Sequence, residues 1–327
     1  MNTIVWMYAG QGSQYYHMGA ELYREDSIFR QVVDEQSAFA EPLCGVSIAS
    51  LIYRHAGNRF DPFDRTLYTH PALFIVQFAL DCTLRWRGCY PDYVLGYSLG
   101  EFVTYAVTGV MSWLNALSAV IRHAQILERA AAPGRMLAVL APATEFEPLS
   151  RAFPAVEIAA VNSPRHFVLT GSAGDIEALQ RRFESSQIDS VILPVRMAFH
   201  SSALDALELE FQTLLSAIPV NQPRTPIVSS ASAEILHAIH PESSWVVTRR
   251  SIQFQRAFQL LESRGPHAYI DLGPSGTLAG FVRQNLTPAS PSVAVPILTP
   301  FGHDLANLRT AENRLHRTLP ASASYGA

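Results

Sequence analysis

Apolar and polar positions change rhythm several times along the chain, and each change marks an element. Met1 to Tyr8 is a short, largely apolar run broken by Gly10, which predicts a buried first strand. Gly10-Gln11-Gly12-Ser13-Gln14 is then a turn rich in groups able to expose backbone N–H, and a helix is predicted near Met18 to Tyr23. The same order recurs from Pro91 to Gly109, where Tyr93-Val94-Leu95-Gly96 reads as a buried strand and Leu99 to Val107 as a helix. Between Arg135 and Val195 the elements shorten. Met136–Leu140, Val156–Val161, Phe167–Gly171 and Ser190–Val195 read as strands, and Glu145–Ala152 and Ala173–Glu184 as helices. A helix is then expected from His200 to about Ile218, and Tyr269-Ile270-Asp271-Leu272-Gly273-Pro274 reads as a late strand and turn.

The βαββαβ order of residues 135–195 is that of a ferredoxin-like unit. Its position predicts an α/β protein whose large domain, residues 1–134 and 196–320, carries this unit as an insert. Residues 321–327 are small and polar, and a disordered tail is expected there. With 327 residues, 48% of them hydrophobic and 16% charged, the chain can bury a large core. A formal net charge of -4, without any run of Lys or Arg, argues against a nucleic-acid partner. No apolar stretch approaches the roughly 18 residues of a membrane span. Cys44, Cys82 and Cys89 lack the paired spacing of a zinc site or disulfide framework, and the N-terminal run has neither a basic start nor a cleavage site. A reducing cytoplasm is the expected location.

Chemistry enters at Gly96-Tyr97-Ser98-Leu99-Gly100. Gly-x-Ser-x-Gly between a buried strand and a helix is a nucleophile elbow: the turn is sharp, so small flanking residues must let backbone segments pass closely. Ser98 Oγ is lifted into open space at a helix N-terminus, where the Leu99 N–H can meet an oxyanion. A glycine-rich tight turn holding an ordinary serine is the plainer account. A serine also needs a base, and motif logic does not choose among the eleven histidines. His200 stands where the insert returns to the large domain, and so at a cleft between the two; on its surroundings alone, a satisfied histidine at a domain seam is the preferred reading.

Five ordered motifs together resemble one family, the malonyl-CoA:acyl carrier protein transacylases, which load acyl carrier proteins in fatty acid and polyketide synthesis. Gly10-Gln11-Gly12-Ser13-Gln14 matches its GQGSQ, Gly96-Tyr97-Ser98-Leu99-Gly100-Glu101 its GHSxGE, and Thr66-Leu67-Tyr68-Thr69-His70-Pro71-Ala72-Leu73-Phe74 its TxxTQPALF. Ala198-Phe199-His200 matches AFH, and Asp271-Leu272-Gly273-Pro274 the late turn. The resemblance implies an α/β-hydrolase-like large domain with a ferredoxin-like insert. It makes Ser98 the nucleophile and His200 the general base, with the backbone N–H groups of Gln11 and Leu99 as the oxyanion hole. It further implies that a main-chain carbonyl orients the histidine, Val247 being one candidate. No metal or redox cofactor is implied; the acyl group arrives on the phosphopantetheine of an acyl carrier protein or on CoA.

The departures bear on substrate. Members that use malonyl-CoA pair its carboxylate with an arginine, and an ungapped count from Ser98 puts His123 at that position. Arg122 stands one residue early, about 100° away on a helix, although a one-residue irregularity could restore it. Tyr97 replaces the histidine beside the nucleophile, and His70 replaces a glutamine. Phe199 pulls the other way, as the residue typical of members taking unbranched malonyl groups. Members that clear acyl groups from carrier proteins in polyketide pathways share Gly10 to Tyr16 and Thr66 to Pro71 closely and also lack the arginine. Hydrolysis of acyl carrier protein thioesters is therefore the expected activity, with malonyl transfer and an inactive carrier-binding protein as alternatives. Asn162, in an N-x-P turn, is a further candidate for the cleft. Tyr15, Tyr16 and His17 could line the pocket, aromatic packing being their plainer role, and Glu101 complements the helix dipole. Arg249 and Arg250 could meet an acidic carrier or the phosphopantetheine phosphate, a solvated pair being the default.

Overall fold

A computed structural model of the chain describes residues 3–318 apart from Pro241, so the tail expected at 321–327 lies outside the described residues. Ten described strands form two sheets: β1 (Thr3–Tyr8), β2 (Tyr93–Gly96), β3 (Arg135–Val139), β4 (Glu157–Ser163), β5 (His166–Gly171), β6 (Ser190–Ile192), β7 (Ile227–Ser229), β8 (Glu234–Leu236), β9 (His267–Asp271) and β10 (Val293–Pro296). The larger sheet runs β10-β9-β1-β2-β7-β8 and is parallel except for β8 at its edge. Helices cover a parallel sheet on both faces, so its strands lose the usual alternation. Val5, Trp6, Met7 and Tyr8 are accordingly all buried.

Register positions the chemistry. Val5 lies opposite Tyr93 and Tyr8 opposite Gly96, so the carboxyl ends of β1 and β2 are level. The glycine-rich turn after β1 and the serine turn after β2 therefore emerge side by side, where open α/β sheets bind ligands.

The smaller sheet is antiparallel, β4-β5-β3-β6, which is the ferredoxin-like arrangement. It has its own apolar core, including Leu137, Val139, Phe167, Leu169 and Phe183. The insert is closed at its base by Gly134 N–H donating to the Arg196 carbonyl at 3.0 Å. It is also stitched to the large domain: Ile252 N–H donates to Ala159 O and Val161 N–H to Ile252 O, both at 2.8 Å.

Several boundaries differ from the sequence reading. The first helix is Ala20–Glu25, and the expected helix 145–152 divides into a 3₁₀ turn (Ala143–Phe146) and a short helix (Glu147–Ser150). β6 stops at Ile192 rather than Val195, because Pro194 offers no N–H to continue a ladder. The helix expected from His200 is a 3₁₀ segment, Ser202–Leu207, followed by a helix only at Glu208–Leu214. Among the described residues no helix is long and apolar enough to cross a membrane.

Candidate active site

Ser98 sits in the tight turn between β2 and the helix Gly100–Val107, with φ of 52°, a left-handed conformation that costs energy in a residue with a Cβ. Glycine is required around it. A Cβ on Gly100 would lie 1.9 Å from the Tyr8 carbonyl oxygen, and one on Gly10 would lie 2.7 Å from the Tyr97 oxygen and 2.9 Å from Ser98 Cβ. Gly10 thus lets the turn carrying Gln11 press directly against the elbow. Among the described residues the backbone N–H groups of Gln11 and Leu99 have no hydrogen-bond partner, and both residues line the cavity that holds Ser98. Two unengaged donors beside a hydroxyl suit an oxyanion formed there.

His200 also has a left-handed backbone, φ 59°, and faces the serine across the cavity. Its Nε2 is 2.9 Å from Ser98 Oγ, and its Nδ1 is 2.9 Å from the Arg250 carbonyl oxygen. A carbonyl only accepts, so Nδ1 carries the proton and Nε2 is left to accept from the Ser98 hydroxyl. Burial pushes the imidazole down to about 4, partly offset by the Arg250 carbonyl, so near pH 7 the ring is neutral and able to take a proton. The orienting carbonyl is that of Arg250, not Val247. Val247 lies within the helix Ser243–Arg249, whereas Arg250 follows it in an extended conformation; Val247 itself lines the cavity.

Tyr97, His70, His123 and Phe199 line the same cavity, which encloses about 640 Å³ including its mouth. Among the described residues no Arg, Lys, Asp or Glu lines it. His123 is buried with Nε2 2.9 Å from Thr248 Oγ1, and that hydroxyl spends its single proton on the Ser244 carbonyl at 2.7 Å. His123 Nε2–H must therefore be the donor, and burial pushes this imidazole down to about 3. His70, with its ring 5.4 Å from that of His123, is likewise held well below the usual histidine range by burial. Arg122 is not part of the cavity. It is solvent-exposed on the helix Trp113–Ala130, about 100° round from His123, and the helix is unbroken there. Asn162 lines an adjoining cavity, where its Oδ1 accepts from the Tyr97 hydroxyl at 3.0 Å and its Nδ2 meets His166 Nδ1 at 3.1 Å.

The family described as Acyl transferase domain matches residues 5–322. The chain belongs to that family. This acyltransferase is 40% identical to the polyketide biosynthesis acyltransferase homolog PksD of Bacillus subtilis (strain 168), over 94% of its own length and 95% of the relative's. It is 38% identical to the homolog BaeD of Bacillus velezensis (strain DSM 23117 / BGSC 10A6 / LMG 26770 / FZB42), over 95% and 96% of the two chains. The solved acyltransferase domain from the second module of the salinomycin polyketide synthase shares its fold with a TM-score of 0.84 at 29% identity, covering 95% of this chain and 72% of that one.

Within the acyltransferase, the remaining candidates are placed as follows. Tyr16 stacks on His55 and Phe63, with centroids 3.6 and 4.6 Å away, and neither Tyr15, Tyr16 nor His17 lines the Ser98 cavity. Arg249 is held by Asp205 at 2.5 Å and Glu157 at 3.2 Å, while Arg250 is exposed. Glu101 stands on the first turn of its helix and is fully buried. Thr248 and the Arg250 carbonyl carry no sequence signal of their own: one is a threonine inside a helix, and the other is a main-chain group any residue supplies.

Proposed function

We propose that this enzyme hydrolyses short, uncharged acyl groups from acyl carrier protein thioesters in polyketide biosynthesis. Ser98 Oγ attacks the thioester carbonyl while its proton passes to His200 Nε2, and the Gln11 and Leu99 N–H groups take the oxyanion. Collapse breaks the C–S bond, and His200 returns the proton to the departing pantetheine thiolate. A water then attacks the acyl-Ser98 ester, with His200 again receiving the proton, and the carboxylic acid leaves as Ser98 is restored.

The observation that carries this reading is the neutral, hydrogen-bonded His123 in a cavity lined by no arginine among the described residues. A malonyl carboxylate buried there would face the desolvation cost of an unpaired charge, which an acetyl group avoids. The printed names of PksD and BaeD support the polyketide setting. Phe199, beside His70, favours the second reading, malonyl transfer from CoA to the carrier.

One experiment separates the two. The purified protein is incubated with acetyl- and malonyl-loaded carrier protein and, separately, with malonyl-CoA and empty carrier, and carrier mass is followed. Loss of the acetyl group without malonyl loading is expected. Rapid malonyl loading with little hydrolysis would reverse the assignment.

A further inference from the structure

Glu101 lies three residues after Ser98, on the first turn of the elbow helix, with no exposed surface. Its Oε1 accepts from Ser229 Oγ at 2.9 Å, Ser230 Oγ at 3.3 Å and Ala231 N–H at 3.0 Å. Its Oε2 is buried without a partner, and no cation pairs with the carboxyl among the described residues. Burial pushes the group up to about 7 in spite of these hydrogen bonds. A buried carboxyl with no counter-charge is costly to keep, and an apolar side chain would fill the space without that cost.

The three donors belong to one turn, and that turn leads to the base. The Ser230 carbonyl accepts from Gln253 N–H at 2.7 Å. Three residues before Gln253, the Arg250 carbonyl accepts from His200 Nδ1 at 2.9 Å. Between them, Ile252 is fixed to β4 by its two backbone hydrogen bonds with Ala159 and Val161. A path of hydrogen bonds, completed by the backbone of residues 250–253, therefore runs from the elbow helix, through Glu101 and the 229–231 turn, to the carbonyl that sets the tautomer of His200. Its two ends are the two halves of the Ser98–His200 pair.

On the Ser98–His200 mechanism proposed above, we infer that Glu101 is a positioning residue: through the 229–231 turn it fixes the Arg250 carbonyl against His200 relative to Ser98. It touches no reacting atom. Loss of its acceptor frees the turn, the Gln253 contact loosens, and His200 loses the partner that keeps its Nε2 unprotonated and aimed at the serine. The affected quantity is the reactivity of Ser98, not the affinity for substrate.

The test uses a serine-directed fluorophosphonate, which reports Ser98 reactivity independently of any thioester, alongside acetyl-carrier kinetics and thermal unfolding. Glu101→Ala should slow labelling and lower kcat by about tenfold or more while KM stays within about twofold. Glu101→Gln keeps an oxygen for the three donors and should restore both rates to within about threefold. Should Glu101→Ala not fold, the double variant Ser229→Ala/Ser230→Ala removes two donors and should slow labelling by about fivefold. Labelling of a folded Glu101→Ala, or of that double variant, at the wild-type rate would overturn the positioning role and leave Glu101 a packing residue. Failure of the wild-type protein to label at Ser98 would instead remove the serine mechanism itself.

Discussion

Ser98 Oγ and His200 Nε2 stand 2.9 Å apart while the other nitrogen of His200 is tied to the Arg250 carbonyl. One imidazole face is thereby assigned to holding and the other to proton transfer, without a third acidic side chain. Ser98→Ala should abolish the acyl adduct, and His200→Ala should slow its formation by at least about 10³-fold. Intact-mass measurement after exposure to acetyl-carrier reads both directly. The sequence contains no lysine, all 24 of its basic side chains being arginine, so acyl transfer to side-chain amines cannot mimic the adduct. An adduct that persists in Ser98→Ala would remove Ser98 as the nucleophile.

The depression of His200 fixes the shape of the pH profile. A base titrates into its useful form as pH rises, and a pKa lowered to about 4 moves that limb to acid. Acylation by an acetyl thioester should therefore be flat from about pH 5.5 to 8 and fall as pH drops through about 4. Stopped-time acylation at fixed ionic strength checks it. Glu101, pushed up to about 7, and Asp271, pushed up to about 6, are buried acids able to add a wave in the flat region. An inflection between pH 6 and 7 that survives in both Glu101→Gln and Asp271→Asn would mean that His200 titrates as a solvated histidine.

How far the sequence carried the fold depends on where the information lay. β2 was legible to the residue because its short apolar run starts after Pro91-Asp92 and ends at Gly96, and Ser98 followed from the Gly-x-Ser-x-Gly spacing. The ferredoxin-like insert was legible as a change of rhythm, and β6 was overrun only where Pro194 breaks a ladder that periodicity cannot see. His200 was not legible from its surroundings alone; only the resemblance chose it, because its partners lie 102 residues away at Ser98 and 50 away at Arg250. Arg122 and His123 were separated only by helix phase, which needs an unbroken helix to be decisive. The place of Glu101 on the first turn was legible, but its enclosure by β7 and the following turn was not, because Ser229 and Ala231 lie about 130 residues away in the chain.

Helix phase also makes a paired prediction. His123→Arg places a guanidinium at the cavity wall, where it can pair with a malonyl carboxylate as neutral His123 cannot. Acylation of Ser98 by malonyl-CoA should rise by about tenfold or more, and acylation by acetyl thioesters should fall. Arg122→Ala, one residue away but on the exposed face, should leave both rates within about twofold. Rapid-quench measurement of the acyl-enzyme from each thioester gives the comparison. A large loss of malonyl acylation in Arg122→Ala would put the exposed arginine back into the substrate's path.

Thr248 is the residue that fixes the tautomer and orientation of the buried His123, and it can be removed almost without change of shape. Thr248→Val takes away the acceptor of His123 Nε2–H, and His123 Nδ1 already lacks a partner, so the whole imidazole would be buried unsatisfied. A stranded donor of this kind costs about 1–3 kcal/mol. Denaturant unfolding should report that loss, and adding His123→Met should recover most of it, because removing both partners leaves nothing unsatisfied. If Thr248→Val is as stable as wild type, the His123–Thr248 bond does not hold in solution. His123 would then be free to turn, take up a proton and meet a carboxylate, and discrimination against malonyl groups would lose its physical basis.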